Sequence, residues 1–336
     1  MKDVNKVAVI GSGVMGSAIA AHVANAGVPV LLLDIVPNEA KDRNILAKNA
    51  IEKLLKTKPA ALTHKSKARL ITPGNLEDNL QHLKEVDWII EAIIEDANIK
   101  KNLYRKINGY RKEGSVVSSN TSTIPLKDLT EGMPNEFKRD FMITHFFNPP
   151  RYMRLLELVG GVDTRPKSLE KIGEFCDVKL GKGVVNCKDT PGFIANRIGC
   201  FWMTVGLTEA IKQGVSVEVA DAVMSKPVGI PKTGVFGLMD LIGIDLLPLI
   251  AKEMMSTLPK EDAFCRAYKL PEVVAGMIKD GYTGRKGKGG FYRLNEEGGK
   301  KVKESVDLKT GKYNASEKPN LESVKSARES LRSLVT

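Results

Sequence analysis

Two residues twelve positions apart combine the types that proton-transfer chemistry needs. His145 closes an apolar run begun at Phe141 and opens the segment His145-Phe146-Phe147-Asn148-Pro149. Glu157 lies inside the next apolar run, among Leu155, Leu156, Leu158 and Val159, where an unpaired carboxylate would be costly. A carboxylate that accepts from one imidazole nitrogen fixes the tautomer, raises the basicity of the other nitrogen and stabilises imidazolium once it forms. Paired, the two residues make a general acid/base. A lone histidine is more often structural, so the expectation rests on the partner.

A second group reads as a binding site. Gly11-Ser12-Gly13-Val14-Met15-Gly16 directly follows an apolar strand and opens a helical pattern. In that context Gly11 permits a tight turn, Gly13 lets backbone approach a pyrophosphate, and Gly16 lets the helix pack closely on the strand. The phosphates then meet the helix N-terminus, where unbonded N–H groups and the dipole favour an anion. Asp34 ends the next strand, placed to accept from both hydroxyls of a ribose and to repel a 2′-phosphate. NAD is therefore expected rather than NADP.

The elements that must position these residues alternate. Apolar runs at 7–10, 30–33, 88–90, 116–117, 141–143 and 155–159 are separated by helical patterns, which implies a Rossmann-type, doubly wound, mostly parallel sheet. A long helix is expected from Pro37 to Leu55. The basic flank Lys56, Lys58, Lys65, Lys67 and Arg69 is either a solvated face or a phosphate-binding one. The sheet pattern ends near Val185; Thr190 then reads as a helix cap and Pro191 as the first helical residue. Residues 188–293 read as an all-α second domain after a nucleotide-binding domain at 1–187, with helical stretches at 194–211, 217–224, 238–250 and 273–278. Residues 294–336 read as a polar tail or linker containing at most a short helix near 319–331.

Composition narrows the function classes. The formal charge of +11 would suit a polyanion, but aromatic residues supply only 6% of the chain, too few for a base-stacking surface, so no nucleic-acid partner is expected. Cys176, Cys187, Cys200 and Cys265 show no CxxC spacing and the four histidines form no local group, so no metal site is expected. No apolar run reaches the roughly 20 residues of a membrane span. A cytoplasmic setting and no targeting peptide are expected.

On these residues, and on Glu91-Ala92-Ile93-Ile94-Glu95, Ser118-Ser119-Asn120-Thr121-Ser122, Lys188-Asp189-Thr190-Pro191-Gly192-Phe193-Ile194-Ala195-Asn196-Arg197 and Gly289-Gly290-Phe291-Tyr292, the chain resembles the 3-hydroxyacyl-CoA dehydrogenase family over residues 4–293. The resemblance implies NAD-dependent oxidation of (S)-3-hydroxyacyl-CoA in fatty-acid β-oxidation, with His145 as acid/base and Glu157 orienting it. It further implies that Ser119 and Asn196 contact substrate through donated hydrogen bonds, with Ser119 touching both ligands. Glu95 and Lys100 would hold the nicotinamide ribose, Asn148 would contact the cofactor, and Lys286 would lie on the cofactor side. Two positions depart from the pattern. Arg285-Lys286-Gly287-Lys288 stands where Lys-Thr-Gly is usual, and Asp96 stands where Asn is common.

Also implied are an acyl-CoA substrate, CoA phosphates facing the basic flank, and a homodimer through the helical domain. Residues 31–38 and 71–78 resemble a bacterial multifunctional subfamily in which an enoyl-CoA hydratase half follows the dehydrogenase, and the polar tail resembles the start of that connection. Another NAD-dependent β-hydroxyacid or nucleotide-sugar dehydrogenase would leave the His145/Glu157 pair unexplained. A non-catalytic NAD-binding relative would have no use for it.

Overall fold

Eight strands build the first half of the chain: β1 Val7–Ile10, β2 Val30–Asp34, β3 Ile71–Asn75, β4 Trp88–Glu91, β5 Val116–Ser119, β6 Phe141–Phe146, β7 Leu155–Gly160 and β8 Gly183–Cys187. They form one sheet in the order β3-β2-β1-β4-β5-β6-β7-β8. Every neighbouring pair is parallel except β6 and β7, which run antiparallel with His145 directly opposite Glu157. Chain order reverses at β1, leaving a crevice at the strand C-termini between β1 and β4 where ligands of such sheets bind. The computed structural model describes residues 4–230, 232–297 and 300–333, and the chain divides into the units Met1–Ile194 and Ala195–Thr336.

Alternation along the strands makes two cores. Val7, Val9, Leu32, Trp88 and Ile90 bury one face; Ala8, Ile10, Leu31, Leu33 and Ile89 bury the other. Because both faces are covered, the strands read as continuous apolar runs rather than alternating ones. Three helices matter to the site: α1 Val14–Asn25, α2 Ile45–Leu54 and α3 Ala97–Tyr110.

Several elements differ from expectation. Strand β3 carries Pro73 and Gly74, which a sheet tolerates at its edge, the place β3 occupies. Helix α2 starts at Ile45 rather than after Pro37, because Asp42 accepts from the Asn44 amide and Ala40 closes a turn on Pro37; local side-chain bonds of this kind compete with helix. No helix starts at Pro191. Gly192 and Phe193 both have positive φ, 71° and 47°, and the helix begins at Ala195.

The second unit contains the helices Ala195–Gln213, Val217–Val223, Gly234–Ile242, Leu246–Thr257 and Glu272–Lys279 around its own apolar core. The stretch expected as one helix over 238–250 breaks at Gly243, whose φ of 112° suits glycine. The expected polar tail is largely regular structure. Strands Tyr292–Glu297, Lys300–Val306 and Tyr313–Ala315 form an antiparallel sheet, and Glu322–Ser333 is helical. Few anchors suffice: Val306 and Leu308 are buried in the core of this unit, and the Arg293 guanidinium lies 3.9 Å over the Tyr313 ring while pairing with Glu304. The second domain up to Tyr292 is thus helical, as expected, and the small sheet lies almost wholly in the stretch read as a tail.

Candidate active site

The ladder between β6 and β7 places the imidazole of His145 against Glu157, with Nδ1 2.7 Å from Oε2. Both side chains are buried, His145 at 6% exposure and Glu157 at 0%. An ionised carboxylate only accepts, so Nδ1 carries the proton and Nε2 is left as the base. Glu157 Oε1 accepts the Ile194 amide at 3.0 Å, which fixes the plane of the carboxylate. Phe147 and Phe193 rings stand edge-on to the imidazole or tilted against it, with centroids at 4.5 and 5.7 Å. Burial and the adjacent Glu157 charge push the Cys187 thiol up to about 11, so that cysteine is inert at neutral pH.

A second network sits at the ends of β4 and β5. Glu91, fully buried, accepts from Lys100 Nζ at 2.7 Å, Ser119 Oγ at 2.7 Å, the Tyr104 hydroxyl at 2.5 Å and the Ile93 amide at 2.9 Å. Lys100 also reaches Glu95 Oε2 at 3.0 Å. The other Glu95 oxygen accepts from the Thr121 hydroxyl, the Ser122 and Thr123 amides, and the Thr123 hydroxyl. Partial burial would raise the Glu95 carboxyl, but Lys100 and Thr121 outweigh it and hold it below the usual carboxylate range. Tyr104 is pushed well above its ordinary value by burial and by Glu91.

The glycine turn fits a dinucleotide. A Cβ on Gly11 would meet the Ala92 carbonyl oxygen at 2.5 Å, and one on Gly16 would meet the Gly11 carbonyl oxygen at 1.9 Å. Around Gly13 nothing lies within 4 Å of that position, so this backbone faces open space. The turn borders a cleft of about 430 Å³ lined by Gly11, Gly13, Asp34, Ile35, Ala92 and Ile94 among others. Asp34 accepts from the Ser12 amide and hydroxyl and from the Ile35 amide. Val14, exposed, and Met15, half-buried, begin α1 beside it.

The expected residues thus fall into separate groups. His145 meets Glu157, while Ser119, Lys100 and Glu95 meet around Glu91. Ser119 was expected to donate to ligands, but its proton goes to Glu91, its oxygen accepts the Thr121 amide at 3.2 Å, and no surface of it is exposed. Lys100 is likewise 1% exposed. Asp96 spends its charge as the cap of α3, accepting from the Asn98 and Ile99 amides. Asn148 is exposed beyond β6. Asn196 and Lys286 belong to the second unit. There Asn196 is the second residue of its helix, and Lys286 pairs with Asp245 at 2.9 Å. Sequence reasoning quoted Glu91 in a motif without giving it a role, and passed over Tyr104. It gave no role either to Asn120, whose side-chain oxygen accepts the Phe146 amide and ties the end of β5 to β6. The available signal was a carboxylate ending a buried strand. Among the described residues no cluster could hold a metal ion, and no single helix is long and apolar enough to cross a membrane.

A doubly wound sheet, a glycine turn opening a helix at its reversal point, and an acid ending the second strand define a nicotinamide-dinucleotide-binding protein. Residues 6–190 match the model for the 3-hydroxyacyl-CoA dehydrogenase NAD binding domain, and residues 192–294 match the C-terminal domain of the same family. The chain belongs to the 3-hydroxyacyl-CoA dehydrogenase family, and its cofactor is NAD.

It is 45% identical over 319 residues to a Rickettsia prowazekii protein named for a fatty acid oxidation complex trifunctional enzyme, covering 95% of this chain but only 44% of that protein. A Deinococcus radiodurans protein named as a 3-hydroxyacyl-CoA dehydrogenase is 42% identical, with 88% of this chain and 84% of that one covered. The crystal structure of the Escherichia coli K12 3-hydroxybutyryl-CoA dehydrogenase superposes with a TM-score of 0.72 at 28% identity, covering 85% of this chain and 58% of that one.

Proposed function

We propose that this chain oxidises (S)-3-hydroxyacyl-CoA to 3-oxoacyl-CoA with NAD as cofactor, His145 serving as general acid/base and Glu157 as its orienting partner. The observation that carries this is the buried contact of 2.7 Å between Nδ1 and Oε2 at the C-terminal end of β6. In oxidation, His145 Nε2 takes the proton of the 3-hydroxyl, and the imidazolium that results is stabilised by the Glu157 charge on its other nitrogen. In reduction the imidazolium returns that proton to the 3-oxo oxygen. NAD, when bound, supplies the hydride acceptor. Phe147 and Phe193 keep water from the imidazole.

Gly13 and the amides opening α1 would hold the pyrophosphate, and Asp34 the adenosine ribose. Glu95, Asn148 and Lys286 are proposed on the cofactor side, and Asn196 on the substrate side. Lys56, Lys58, Lys65 and Arg69 are exposed and in no ion pair among the described residues, which suits CoA phosphates. Phe201, Leu241, Leu249 and Met255, apolar and exposed on helices of the second unit, support a homodimer of a cytoplasmic enzyme. An enoyl-CoA hydratase, in the same polypeptide or another, would supply the 3-hydroxyacyl-CoA.

The test follows NADH consumption with acetoacetyl-CoA and longer 3-oxoacyl-CoAs, beside His145→Gln. Turnover by the wild type and its collapse in the variant are expected. NADH binding without turnover at any chain length would refute the assignment, and equal rates with NADPH would remove Asp34 from it. Sedimentation as a monomer at micromolar concentration would refute the dimer.

A further inference from the structure

Residues 188–194 follow β8 and close the first unit, and a carboxylate bond holds the stretch near each end. Near its start Asp189 reaches helix α4, Leu126–Thr130, where Oδ1 accepts the Leu126 amide at 2.9 Å and Oδ2 the Lys127 amide at 3.3 Å. At its end the Ile194 amide donates to Glu157 Oε1 at 3.0 Å. Between the two anchors Phe193 is buried, its ring centroid 5.7 Å from that of the His145 imidazole.

The first amides of a helix have no partner inside it, and Pro125, which precedes α4, offers no side-chain acceptor. Asp189 takes two of those amides at once. The backbone between the anchors needs such a fixed point, because Gly192 and Phe193 stand at φ of 71° and 47°. Glycine adopts that region freely, whereas phenylalanine stays there only where its surroundings over-determine it. The turn bond from the Phe193 amide to the Thr190 carbonyl, at 2.9 Å, closes directly after Asp189. Released from α4, this turn relaxes toward an ordinary backbone, and the next amide, that of Ile194, leaves Glu157.

The geometry points to Asp189 as a positioning residue: anchored on α4, it holds the Ile194 amide on Glu157 Oε1 and so sets the plane in which Oε2 meets His145. This role rests on the acid/base assignment of His145 and Glu157 proposed above. Residues just before α4 have anchors of their own, the Ile124 amide on the Thr121 hydroxyl and the Ser122 amide on Glu95, both at 3.1 Å. Loss of Asp189 is therefore felt at the pair.

The experiment measures kcat, KM for acetoacetyl-CoA and the NADH dissociation constant for Asp189→Asn, alone and combined with Glu157→Gln, beside Thr130→Ala. Asparagine keeps one acceptor and sets an NH2 against the other amide. A fall in kcat of about tenfold or more is expected, the scale of a hydrogen bond to a charged group, with NADH affinity within about threefold of wild type. On top of Glu157→Gln the same change should cost less than about threefold, because Asp189 acts through that carboxylate. Multiplied losses would overturn the inference, and so would a single variant whose kcat stays within threefold of wild type.

Weakened NADH with unchanged kcat would overturn it too, making Asp189 a support of the loop before α4. Thr130 donates to the Leu126 carbonyl of its own helix, so Thr130→Ala loosens α4 from its other end and should leave kcat within about threefold. A fall equal to that of Asp189→Asn would show a merely structural role and refute the inference. If Asp189→Asn fails to fold, Asp189→Glu, which keeps the charge but displaces it by one methylene, passes through the same cycle with the same non-additivity required. Absence of turnover in the wild type would overturn both this inference and the proposed function, whereas multiplied losses leave the latter standing.

Discussion

Replacing Glu157 by Gln removes one charge and adds one donor, and the surroundings dictate how the amide must sit. Glu157 Oε1 accepts the Ile194 amide at 3.0 Å while Oε2 accepts from His145 Nδ1 at 2.7 Å. A glutamine keeps the first bond only by turning its carbonyl toward Ile194, which points its NH2 at Nδ1. The imidazole must then accept at Nδ1 and carry its proton on Nε2, the wrong tautomer for a base. The opposite rotamer preserves the tautomer but sets NH2 against the Ile194 N–H inside a buried site. Either way the charge that stabilises imidazolium is gone.

A charge-assisted hydrogen bond contributes about 1.5–3 kcal/mol, and a wrong tautomer in a comparable histidine–carboxylate pair costs about 10⁴ in rate. The expectation is a fall in kcat/KM of about 10² to 10⁴, or roughly 3–5 kcal/mol of transition-state stabilisation. Because the equilibrium constant is a property of the ligands, oxidation and reduction must fall by the same factor. NADH affinity should stay within about threefold, since β7, which carries Glu157, lies four strands away from β1, which the glycine turn follows. Steady-state rates in both directions, with NADH titration as the control for folding, check this. A variant within threefold of wild type would refute the acid/base reading of the pair.

Other expectations follow from the same geometry. Gly16→Ala should destabilise the nucleotide-binding unit by more than about 2 kcal/mol in urea, as its Cβ meets a carbonyl oxygen at 1.9 Å. Gly13→Ala should leave stability within about 0.5 kcal/mol yet weaken NADH at least tenfold, and equal stability losses in the two variants would contradict the division of roles. His22 is pushed down to about 4, by burial first and then by the charges of Lys182 and Arg151. Its contribution is thus fully present above pH 6.5 and is lost as pH falls toward 4, where the unfolded chain binds a proton that the fold excludes. That loss is about 3 kcal/mol, and His22→Leu should flatten this part of a urea-monitored pH profile.

What could be read from residues alone was whatever carried a periodic or compositional mark. Strands β1, β2, β4, β6 and β7 are mostly apolar because both sheet faces are covered, and the glycine turn announces itself between two of the elements it joins. Strand β3 was invisible, since Pro73 and Gly74 argue against a strand everywhere except at an edge. The helix expected at Pro191 failed because Phe193 adopts a left-handed backbone that its residue type disfavours, held by the turn bond from its amide to the Thr190 carbonyl and by the Ile194 amide's bond to Glu157. Lys300–Val306 hid because three lysines and a glutamate read as tail while its register lies in partners a few residues away. Within the site, the types of His145 and Glu157 were legible. Glu91 was not, because its importance lies in what converges on it from α3 and β5, and no local pattern records that convergence.

The antiparallel step between β6 and β7 has a genetic consequence. Since the ladder itself sets His145 opposite Glu157, the intervening segment 149–154, beyond Phe147 and Asn148, can gain or lose residues so long as the strands still pair in register. A single-residue insertion between Leu155 and Glu157 would do the reverse: it would swing the carboxylate to the other face of the sheet and put a leucine before the imidazole. Length variation along this stretch should therefore be found in the connection and be absent from the strands, a pattern of tolerated and lethal indels that deep insertion scanning can read directly.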